Sequence, residues 1–302
     1  MLELDDATKT YGSRPALRGV SFTLDGPGIV GLLGPNGSGK TTTLRLMAGF
    51  FPPTRGRVLF DGRPAVEAAP PSVGYLPEQA PLYGEMTVAD YLVFVARIKG
   101  LSRRQARAAT DDVIGRLSLG ERRDSLIGQL SRGLKQRVGI AQALVHAPST
   151  ILLDEPTSGL DPVQVEEARA VIRDAGQRAT VVMSTHLLNE IALLCRRVIV
   201  LREGELAGEL PAGASARLRL TVRGDLPAHR EQLLARAGAT EAAPPAAGAE
   251  GIWSLEVDAA APDTGERLAA AAIAAGLAVR SLEPVTPDLY ARYAELQQNQ
   301  RR

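Results

Sequence analysis

The sequence predicts an α/β fold with a mainly parallel sheet over residues 1–212 and a small α+β domain over residues 213–302. Three observations support this prediction. Buried apolar strands alternate with helical segments in the first part. After Pro211 the composition changes, because lysine disappears and alanine becomes abundant. A length of 302 residues also corresponds to two domains, at about 150 residues per domain.

The first 62 residues are predicted to form strands joined by turns. Apolar side chains at Val20, Phe22 and Leu24 alternate with polar neighbours, which is typical of a strand with one buried face. A further strand over 57–60 ends at an Asp-Gly turn. The unbroken apolar run over 29–33 predicts instead a strand that is buried on both faces.

A long helical stretch is predicted from about Thr87 to Ala147, and Thr87 and Asp90 have the spacing of a capping box. Two further apolar runs, at 151–153 and 180–184, predict buried strands with a helix between them. The alternation predicts a mixed sheet with a helical subdomain at about 85–147.

The second domain shows weaker but regular patterns. Apolar residues alternate with polar ones over 218–222 and 253–257, and less clearly over 277–279. The Pro/Ala/Gly-rich composition of 241–251 predicts a hairpin or loop. Helices are predicted near 227–237, 263–275 and 287–297. This β-α-β-β-α-β order resembles a ferredoxin-like domain.

Charge and cysteine content limit the classes of partner and compartment. The chain has 35 basic and 34 acidic residues, a net charge of +1, which argues against a nucleic-acid binder that relies on bulk positive charge. The single cysteine, Cys195, cannot form an intrachain disulfide, so a reducing compartment is expected. The acidic, alternating N-terminus is unlike a signal peptide.

Apolar runs are too short for a membrane span. The longest, over 268–279, has 12 residues, whereas a spanning helix needs about 20. If this protein acts at a membrane, we expect another chain to supply the membrane part.

A phosphate-binding loop follows the apolar strand at 29–33 and precedes a helical pattern at 42–49. Its sequence matches G-x-x-x-x-G-K-[ST], in which glycines let backbone N–H groups surround the β-phosphate. Lys40 would reach the β- and γ-phosphates, and the Thr41 hydroxyl would bind Mg²⁺. Kinases, GTPases and motor ATPases share this loop. The matching residues are Gly34, Pro35, Asn36, Gly37, Ser38, Gly39, Lys40 and Thr41.

Two carboxylates follow the buried strand that begins at Thr150. Asp154 and Glu155 stand at its C-terminal end, the edge where ligands bind in open α/β sheets. We expect Asp154 to hold Mg²⁺ through its water shell and Glu155 to orient and polarise the attacking water.

Five motifs have an order and spacing that resemble the ATP-binding subunits of ABC transporters. They lie at 34–41, 130–137, 151–155, 158–161 and 184–186. The resemblance covers about residues 1–212 and implies a P-loop NTPase fold of the ABC-cassette type. It also implies ATP hydrolysis with Mg²⁺, and catalytic roles for Lys40, Glu155 and His186.

The resemblance also implies individual contacts with ATP. The ring of Tyr11 would stack on adenine, and His186 would contact the γ-phosphate and help Glu155 to hold the water. Ser131 and Gly133 would meet the γ-phosphate of ATP held by the opposite subunit, and Asp161 would link the two sites. The implied nucleotide-binding set is Tyr11, Gly34, Pro35, Asn36, Gly37, Ser38, Gly39, Lys40, Thr41, Thr42, Glu78, Ser131, Gly133 and Asp161.

Two positions depart from the family pattern. The signature reads Leu-Ser-Arg-Gly-Leu instead of Leu-Ser-Gly-Gly-Gln, so Arg132 and Leu134 replace a glycine and a glutamine. The Q-loop position aligns with Glu78, with Gln79 one residue later; we favour Glu78 as the residue that approaches Mg²⁺, beside Thr41 and Asp154. Both departures resemble the branch that works with ABC-2-type permeases, which includes exporters.

One cassette per chain implies that two subunits assemble head to tail, as a homodimer or with a related chain. The expected function is that of an ATPase subunit at the cytoplasmic face of the cell (inner) membrane, driving a separate ABC-2-type permease. An ATP-gated scaffold that moves no solute is an alternative, and a soluble ABC protein of translation or DNA repair is another. For the second domain there are two alternatives: a regulatory or dimer-stabilising role, or no functional role at all.

Overall fold

The structure is a computed structural model that describes residues 1–211, 217–248, 251–258 and 263–284, together with Tyr293 and Leu296. The described residues form two compact units. One contains the residues up to Leu210 with Tyr293 and Leu296, and the other contains the described residues from Pro211 onward up to Pro284.

The first sheet is antiparallel and has the order β2-β1-β4-β5. Its strands are β1 (Leu2–Tyr11), β2 (Arg14–Leu24), β4 (Arg55–Phe60) and β5 (Arg63–Pro64). The alternating apolar side chains of β2 are buried, as their period of two predicts.

The second sheet holds the predicted buried strands in the order β10-β9-β3-β8-β7-β6. The five strands from β9 to β6 pair in parallel, and β3 lies between β8 and β9. Parallel pairing brings the carboxyl ends of these strands to one edge. The strands are β3 (Gly28–Leu33), β6 (Val73–Leu76), β7 (Thr150–Asp154), β8 (Thr180–Thr185), β9 (Arg197–Arg202) and β10 (Glu205–Pro211).

Helices pack against these sheets, and Gly31 of β3 allows one of them to approach closely. A Cβ atom at Gly31 would lie 2.6 Å from Cδ1 of Ile191, in the helix Leu188–Leu194, and 3.0 Å from Sγ of Cys195, which follows that helix. The helices are α1 (Lys40–Met47), α2 (Ala65–Ser72), α6 (Pro162–Gly176) and α7 (Leu188–Leu194).

The long helical stretch predicted from Thr87 consists of three α-helices separated by turns. Thr87 caps α3 by accepting a hydrogen bond from the backbone N–H of Asp90, as predicted. Gly100, at φ +94°, follows α3, and Ser102 forms a capping box that starts α4. The helices are α3 (Val88–Ile98), α4 (Arg103–Arg116) and α5 (Arg132–Leu144), with 3₁₀ turns at Gly120–Arg122 and Ile127–Gln129.

The second unit has the predicted β-α-β-β-α-β order and an antiparallel sheet of order β12-β13-β11-β14. Its inward-facing apolar side chains and two helices form one core. The elements are β11 (Arg217–Arg223), α8 (Leu226–Ala237), β12 (Thr240–Ala247), β13 (Ile252–Asp258), α9 (Thr264–Ala274) and β14 (Ala278–Pro284).

One segment is more regular than its composition indicates. The predicted hairpin or loop at 241–251 contributes most of its residues to β12, which reaches Ala247 through Pro244 and Pro245. The strand lies at the sheet edge, and its register shifts between Ala243 and Ala246, so the prolines cost few ladder hydrogen bonds. The predicted helix at 287–297 falls almost entirely outside the described residues.

Within the part of the chain that the structure describes, no helix combines the length and the hydropathy needed to cross a membrane.

Candidate nucleotide-binding and catalytic site

The predicted phosphate-binding loop joins β3 to α1 and continues directly into the helix. Helix α1 begins at Lys40 rather than at the predicted Thr42, so Lys40 and Thr41 belong to its first turn. Gly39 has φ +104°, and a Cβ atom there would lie 2.6 Å from Cδ2 of Leu17 and 2.9 Å from the carbonyl oxygen of Ala16. A side chain at this position would therefore be strained and crowded.

Lys40 places a buried cation in the loop. Its side chain is 7 % exposed, and Nζ donates to the carbonyl oxygens of Gly34 at 2.7 Å and Pro35 at 3.1 Å. Burial lowers the pKa of Lys40, and the neighbouring carboxylates of Glu155 and Asp154 act against that shift. Because the two described partners are neutral, the ammonium keeps a positive charge suited to a phosphate.

Asp154, the last residue of β7, is buried, and only one of its two carboxylate oxygens accepts a hydrogen bond from the described residues. Its Oδ1 accepts a hydrogen bond of 2.6 Å from Oγ of Ser184 on β8. Its Oδ2 is buried and has no hydrogen-bond partner among the described residues. An unpartnered buried carboxylate oxygen is costly unless a cation or donor meets it. Asp154 therefore fits a metal ion, and oxygen donors of this kind suit Mg²⁺.

Glu155 and His186 come together at the ends of adjacent strands. The backbone N–H of Glu155 donates to Oγ of Ser184 at 3.0 Å, and its φ of +50° turns the chain sharply after β7. Nδ1 of His186 lies 3.1 Å from both carboxylate oxygens of Glu155. The carboxylate is 16 % exposed and the imidazole 55 %, so the pair stands at the surface of a cleft.

That cleft has a volume of about 790 Å³ and contains eleven of the residues predicted to bind or hydrolyse the nucleotide. The exposed ring of Tyr11 lines it and contacts Phe51 edge to face, with ring centroids 6.0 Å apart. The predicted residues along the cleft are Tyr11, Asn36, Gly37, Gly39, Lys40, Thr41, Thr42, Glu78, Asp154, Glu155 and His186. Gly34, Pro35 and Ser38 belong to the same loop but do not line the cleft.

Glu78 and Gln79 differ in what they face. Glu78 lines the cleft beside Lys40 and also a neighbouring cavity of about 480 Å³. Gln79 lines that second cavity and not the first. The Q-loop role predicted for Glu78 is compatible with this placement.

Comparison with known proteins identifies the family. The family model described as ABC transporter matches residues 17–158. An uncharacterized ABC transporter ATP-binding protein of Bacillus subtilis, YxlF, is 37 % identical over 212 residues, which cover 70 % of this chain and 71 % of that protein. The chain belongs to the ABC transporter ATP-binding proteins.

Other ABC ATP-binding proteins extend the comparison. The bacitracin transport ATP-binding protein BcrA of Bacillus licheniformis is 34 % identical over 216 residues, covering 70 % of each chain. A solved dimeric ATP-binding cassette in a post-hydrolysis state, bound to ADP and Pi, superposes with a TM-score of 0.65 at 28 % identity. That match covers 70 % of this chain and 98 % of the cassette. The first unit is therefore an ABC cassette with the predicted P-loop NTPase fold.

The residues predicted to belong to the ABC signature and the D-loop, Ser131, Gly133 and Asp161, form a second group that does not line this cleft. Ser131 is exposed and caps α5, with Oγ accepting from the N–H of Leu134 at 3.3 Å. Gly133 is buried against the side chain of Gln164, and the backbone N–H of Gln164 donates to Asp161 at 2.9 Å. The two motifs thus meet at Gln164; Ser131, Gly133 and Asp161 do not line the cleft, but Ser158, at the start of the motif at 158–161, does.

Several residues of this ABC cassette were missed by sequence reasoning. Arg14 and Arg18 of β2 line the cleft, although no motif includes them. Glu190 is buried beside the loops that carry Glu155 and His186, where it accepts hydrogen bonds from Thr157 and Thr185. Glu190 could have been singled out in the sequence by its spacing, because it is an acidic residue four positions after His186.

Proposed function

We propose that this chain is the ATP-hydrolysing subunit of an ABC-2-type exporter, working as a head-to-tail homodimer that closes on two molecules of Mg-ATP and drives a separate permease. The pairing of Glu155 with His186 beside the phosphate-binding loop carries this proposal. A cassette that only bound ATP would not need a carboxylate and an imidazole 3.1 Å apart at this edge.

The chemistry proposed for the cleft is attack of water on the γ-phosphorus of ATP. The new bond joins the water oxygen to phosphorus, the bond to the bridging oxygen of ADP breaks, and the carboxylate of Glu155 takes the proton from the water. His186, as an imidazolium with both ring nitrogens protonated, would donate from Nδ1 to that carboxylate and hold the base in place, and from Nε2 to the γ-phosphate. Lys40 binds the phosphates from inside the loop.

The metal requirement is proposed from Asp154 and Thr41, which would hold Mg²⁺. When bound, Mg²⁺ would neutralise negative charge on the β- and γ-phosphates. The unpartnered Oδ2 of Asp154 supports this assignment. Glu78 lines the same cleft and is the proposed third residue near the metal.

Dimer formation is proposed because the predicted ATP-binding residues fall into two separated groups. Ser131, Gly133 and Asp161 do not line the cleft that holds Lys40 and Glu155. A second copy related by a two-fold axis could bring its own signature to that cleft. Similarity to a dimeric cassette bound to ADP and Pi supports this arrangement. Loss of the γ-phosphate would then release the two copies, as in other ligand-held switches.

The export role is proposed from the relatives and from the signature. BcrA is by its name a bacitracin transport protein, and a Nod factor export protein of Paraburkholderia xenovorans is 35 % identical. The replacements at Arg132 and Leu134 resemble the ABC-2 branch. We place the subunit at the cytoplasmic face of the membrane, bound to a permease that forms the path for the solute.

Replacing Glu155 by glutamine tests the proposal. Glu155→Gln should lower ATP turnover by at least about 100-fold, because it removes the base, while ATP affinity stays within about twofold. The variant should accumulate as an ATP-bound dimer, measured by size-exclusion chromatography with ATP. Glu209→Gln is the matched control, since that carboxylate pairs with Arg197 at the edge strand β10 and should leave turnover unchanged. Normal turnover by Glu155→Gln would refute the proposal.

Two further measurements test whether the chain works with a permease and whether it is instead a scaffold that moves no solute. Co-purification with a six-helix membrane protein would support the transporter assignment over a soluble ABC protein. ATP-dependent solute movement in vesicles that contain both proteins would exclude a scaffold that moves no solute.

A further inference from the structure

Glu190 connects the two loops that carry the proposed catalytic pair. Its carboxylate, on α7, is almost fully buried, with the residue 3 % exposed. Oε1 accepts a hydrogen bond of 2.5 Å from Oγ1 of Thr157, and Oε2 accepts one of 3.2 Å from Oγ1 of Thr185. Each oxygen therefore holds a different loop.

The two threonines lie next to the residues that act. Thr157 is two residues beyond Glu155, in the turn after β7, and Thr185 immediately precedes His186 at the end of β8. Oγ1 of Thr185 also accepts the backbone N–H of Leu187 at 3.0 Å, so this hydroxyl fixes the chain on both sides of the histidine. A shift at either threonine would move Glu155 relative to His186.

The charge of Glu190 is compatible with its burial. Nη2 of Arg169, from α6, lies 3.8 Å from Oε1, and Nη1 of the same guanidinium pairs with Glu166 at 2.5 Å. A buried carboxylate that accepts two hydroxyl hydrogen bonds beside a guanidinium is satisfied as an anion. Hydrogen bonds to a charged acceptor are stronger than those to a neutral one, which suits a role in holding loops.

His186 has little else to hold its side chain. Its imidazole is 55 % exposed and its described hydrogen-bonding partner is Glu155. The position of the ring depends on the backbone of its loop, and that backbone depends on Thr185. The second link between the strand ends, through Ser184, acts on Asp154 and on the N–H of Glu155 rather than on the histidine.

We propose that Glu190 is a positioning residue for ATP hydrolysis, which holds Glu155 and His186 in register through Thr157 and Thr185. This inference rests on the proposed function. Glu190 does not touch the nucleotide cleft. It acts on the rate of the chemical step by fixing the distance between the base and the imidazole.

The first test is Glu190→Gln in the full chain, with ATP as the substrate. An amide keeps the shape but can no longer accept from both hydroxyls. We expect kcat to fall by roughly 10- to 100-fold, as for a small misplacement of reacting groups. The KM for ATP should stay within about twofold, because the described contacts of the phosphate-binding loop do not include Glu190.

The second test separates hydrogen bonding from packing. Thr157→Val and Thr185→Val keep the side-chain shape and remove the hydroxyl, so each should lower kcat like Glu190→Gln. Thr157→Ser and Thr185→Ser keep the hydroxyl and should restore most of the rate. In the Glu190→Gln background, at least one of Thr157→Val and Thr185→Val should cost less than about twofold more, because the single amide oxygen can hold only one of the two hydroxyls. These variants decide the question even if Glu190→Gln does not fold.

Asp174→Asn is the control for loss of an acidic partner on a neighbouring helix. Asp174 of α6 pairs with Arg116 at 2.8 Å and touches neither loop of the proposed catalytic pair in the described contacts, so the kcat of this variant should stay near that of the wild type. Wild-type kcat in Glu190→Gln or in both valine variants would overturn the proposal. So would serine variants as slow as the valine variants. If Glu190→Gln and Glu155→Gln were both fully active, the proposed function itself would fail. If Glu190→Gln were fully active but Glu155→Gln inactive, only the proposed role of Glu190 would fail.

Discussion

At the scale of single residues, the charge of Lys40 is placed before any nucleotide arrives. Its ammonium is buried and bonded to the carbonyl oxygens of Gly34 and Pro35, which orient it without neutralising it. If Lys40 binds the phosphates as we propose, ATP would replace these neutral acceptors by charged phosphate oxygens, which make stronger hydrogen bonds.

Lys40→Met should weaken ATP binding by roughly 10- to 100-fold, since a hydrogen bond to a charged group contributes about 1.5–3 kcal/mol. Equilibrium titration with ATP under non-hydrolysing conditions measures this. Lys99→Met serves as the control, because that lysine donates to the carbonyl oxygen of Val73, away from the phosphate-binding loop and from the motif at 130–137. Equal affinities of the two variants would contradict the role of Lys40.

His146, two residues beyond α5, should make folding sensitive to pH. Burial and the nearby charge of Lys99 lower the pKa of His146 from 6.5 to about 4. Between these values the unfolded chain takes up a proton that the folded chain does not, so stability falls as the pH drops from 6.5 towards 4. Well above pH 6.5 the histidine is neutral in both states and contributes no pH dependence.

Urea unfolding at pH 7 and pH 5 tests this expectation. The wild type should lose roughly 1–2 kcal/mol more than His146→Gln over that interval, because glutamine does not titrate. The comparison with the variant removes the contribution of carboxylates that titrate in the same range. Parallel pH profiles for the two proteins would contradict the assignment.

At the scale of elements, α3 depends on a cap that the sequence predicts. Thr87→Ala removes the side-chain acceptor for the N–H of Asp90 and should lower the free energy of unfolding by about 1 kcal/mol. Thr87→Ser keeps the acceptor and should change stability by only a few tenths of a kcal/mol. Chemical denaturation of both variants measures the difference, and a Thr87→Ala protein as stable as Thr87→Ser would show that the cap contributes nothing.

Elements with a strong local signal could be predicted from the sequence. The strands at 29–33 and 151–153 lie inside a sheet covered on both faces, so every residue is apolar or small and the run is visible without structural knowledge. The division of 87–147 into three helices was not predicted, because it depends on Gly100 and on turns that contain few unusual residues. The segment at 241–251 was predicted as a hairpin or loop, and β12 does pair with β13 as a hairpin; its prolines are tolerated because the strand lies at an edge with a register shift.

The candidate site could also be predicted only in part from the sequence. Motifs predict Lys40, Asp154 and Glu155 individually, because each follows a recognisable strand. The links among loops could not be read from the sequence. Ser184 bridges to Asp154 only because β7 and β8 are parallel neighbours, and Glu190 reaches Thr157 only because α7 packs beside them. Such contacts depend on tertiary packing rather than on local sequence.

At the scale of the whole molecule, the separation of the cleft from the signature is the central feature. Ser131 and Gly133 stand on α5 and its cap, outside the cleft that contains Lys40 and Glu155. If each ATP needs both groups, a single chain cannot hydrolyse it. Turnover then belongs to a pair of chains, and each chain must supply a different half of each site.

Mixing two inactive variants tests this claim most directly. Lys40→Met should disable the cleft of its own chain, and Ser131→Arg should disable the signature that the chain offers to its partner. A mixed dimer contains one site with both halves intact, so an equimolar mixture should recover up to about a quarter of wild-type ATP turnover when the chains pair at random. Turnover in the mixture no greater than in either variant alone would contradict the composite-site account.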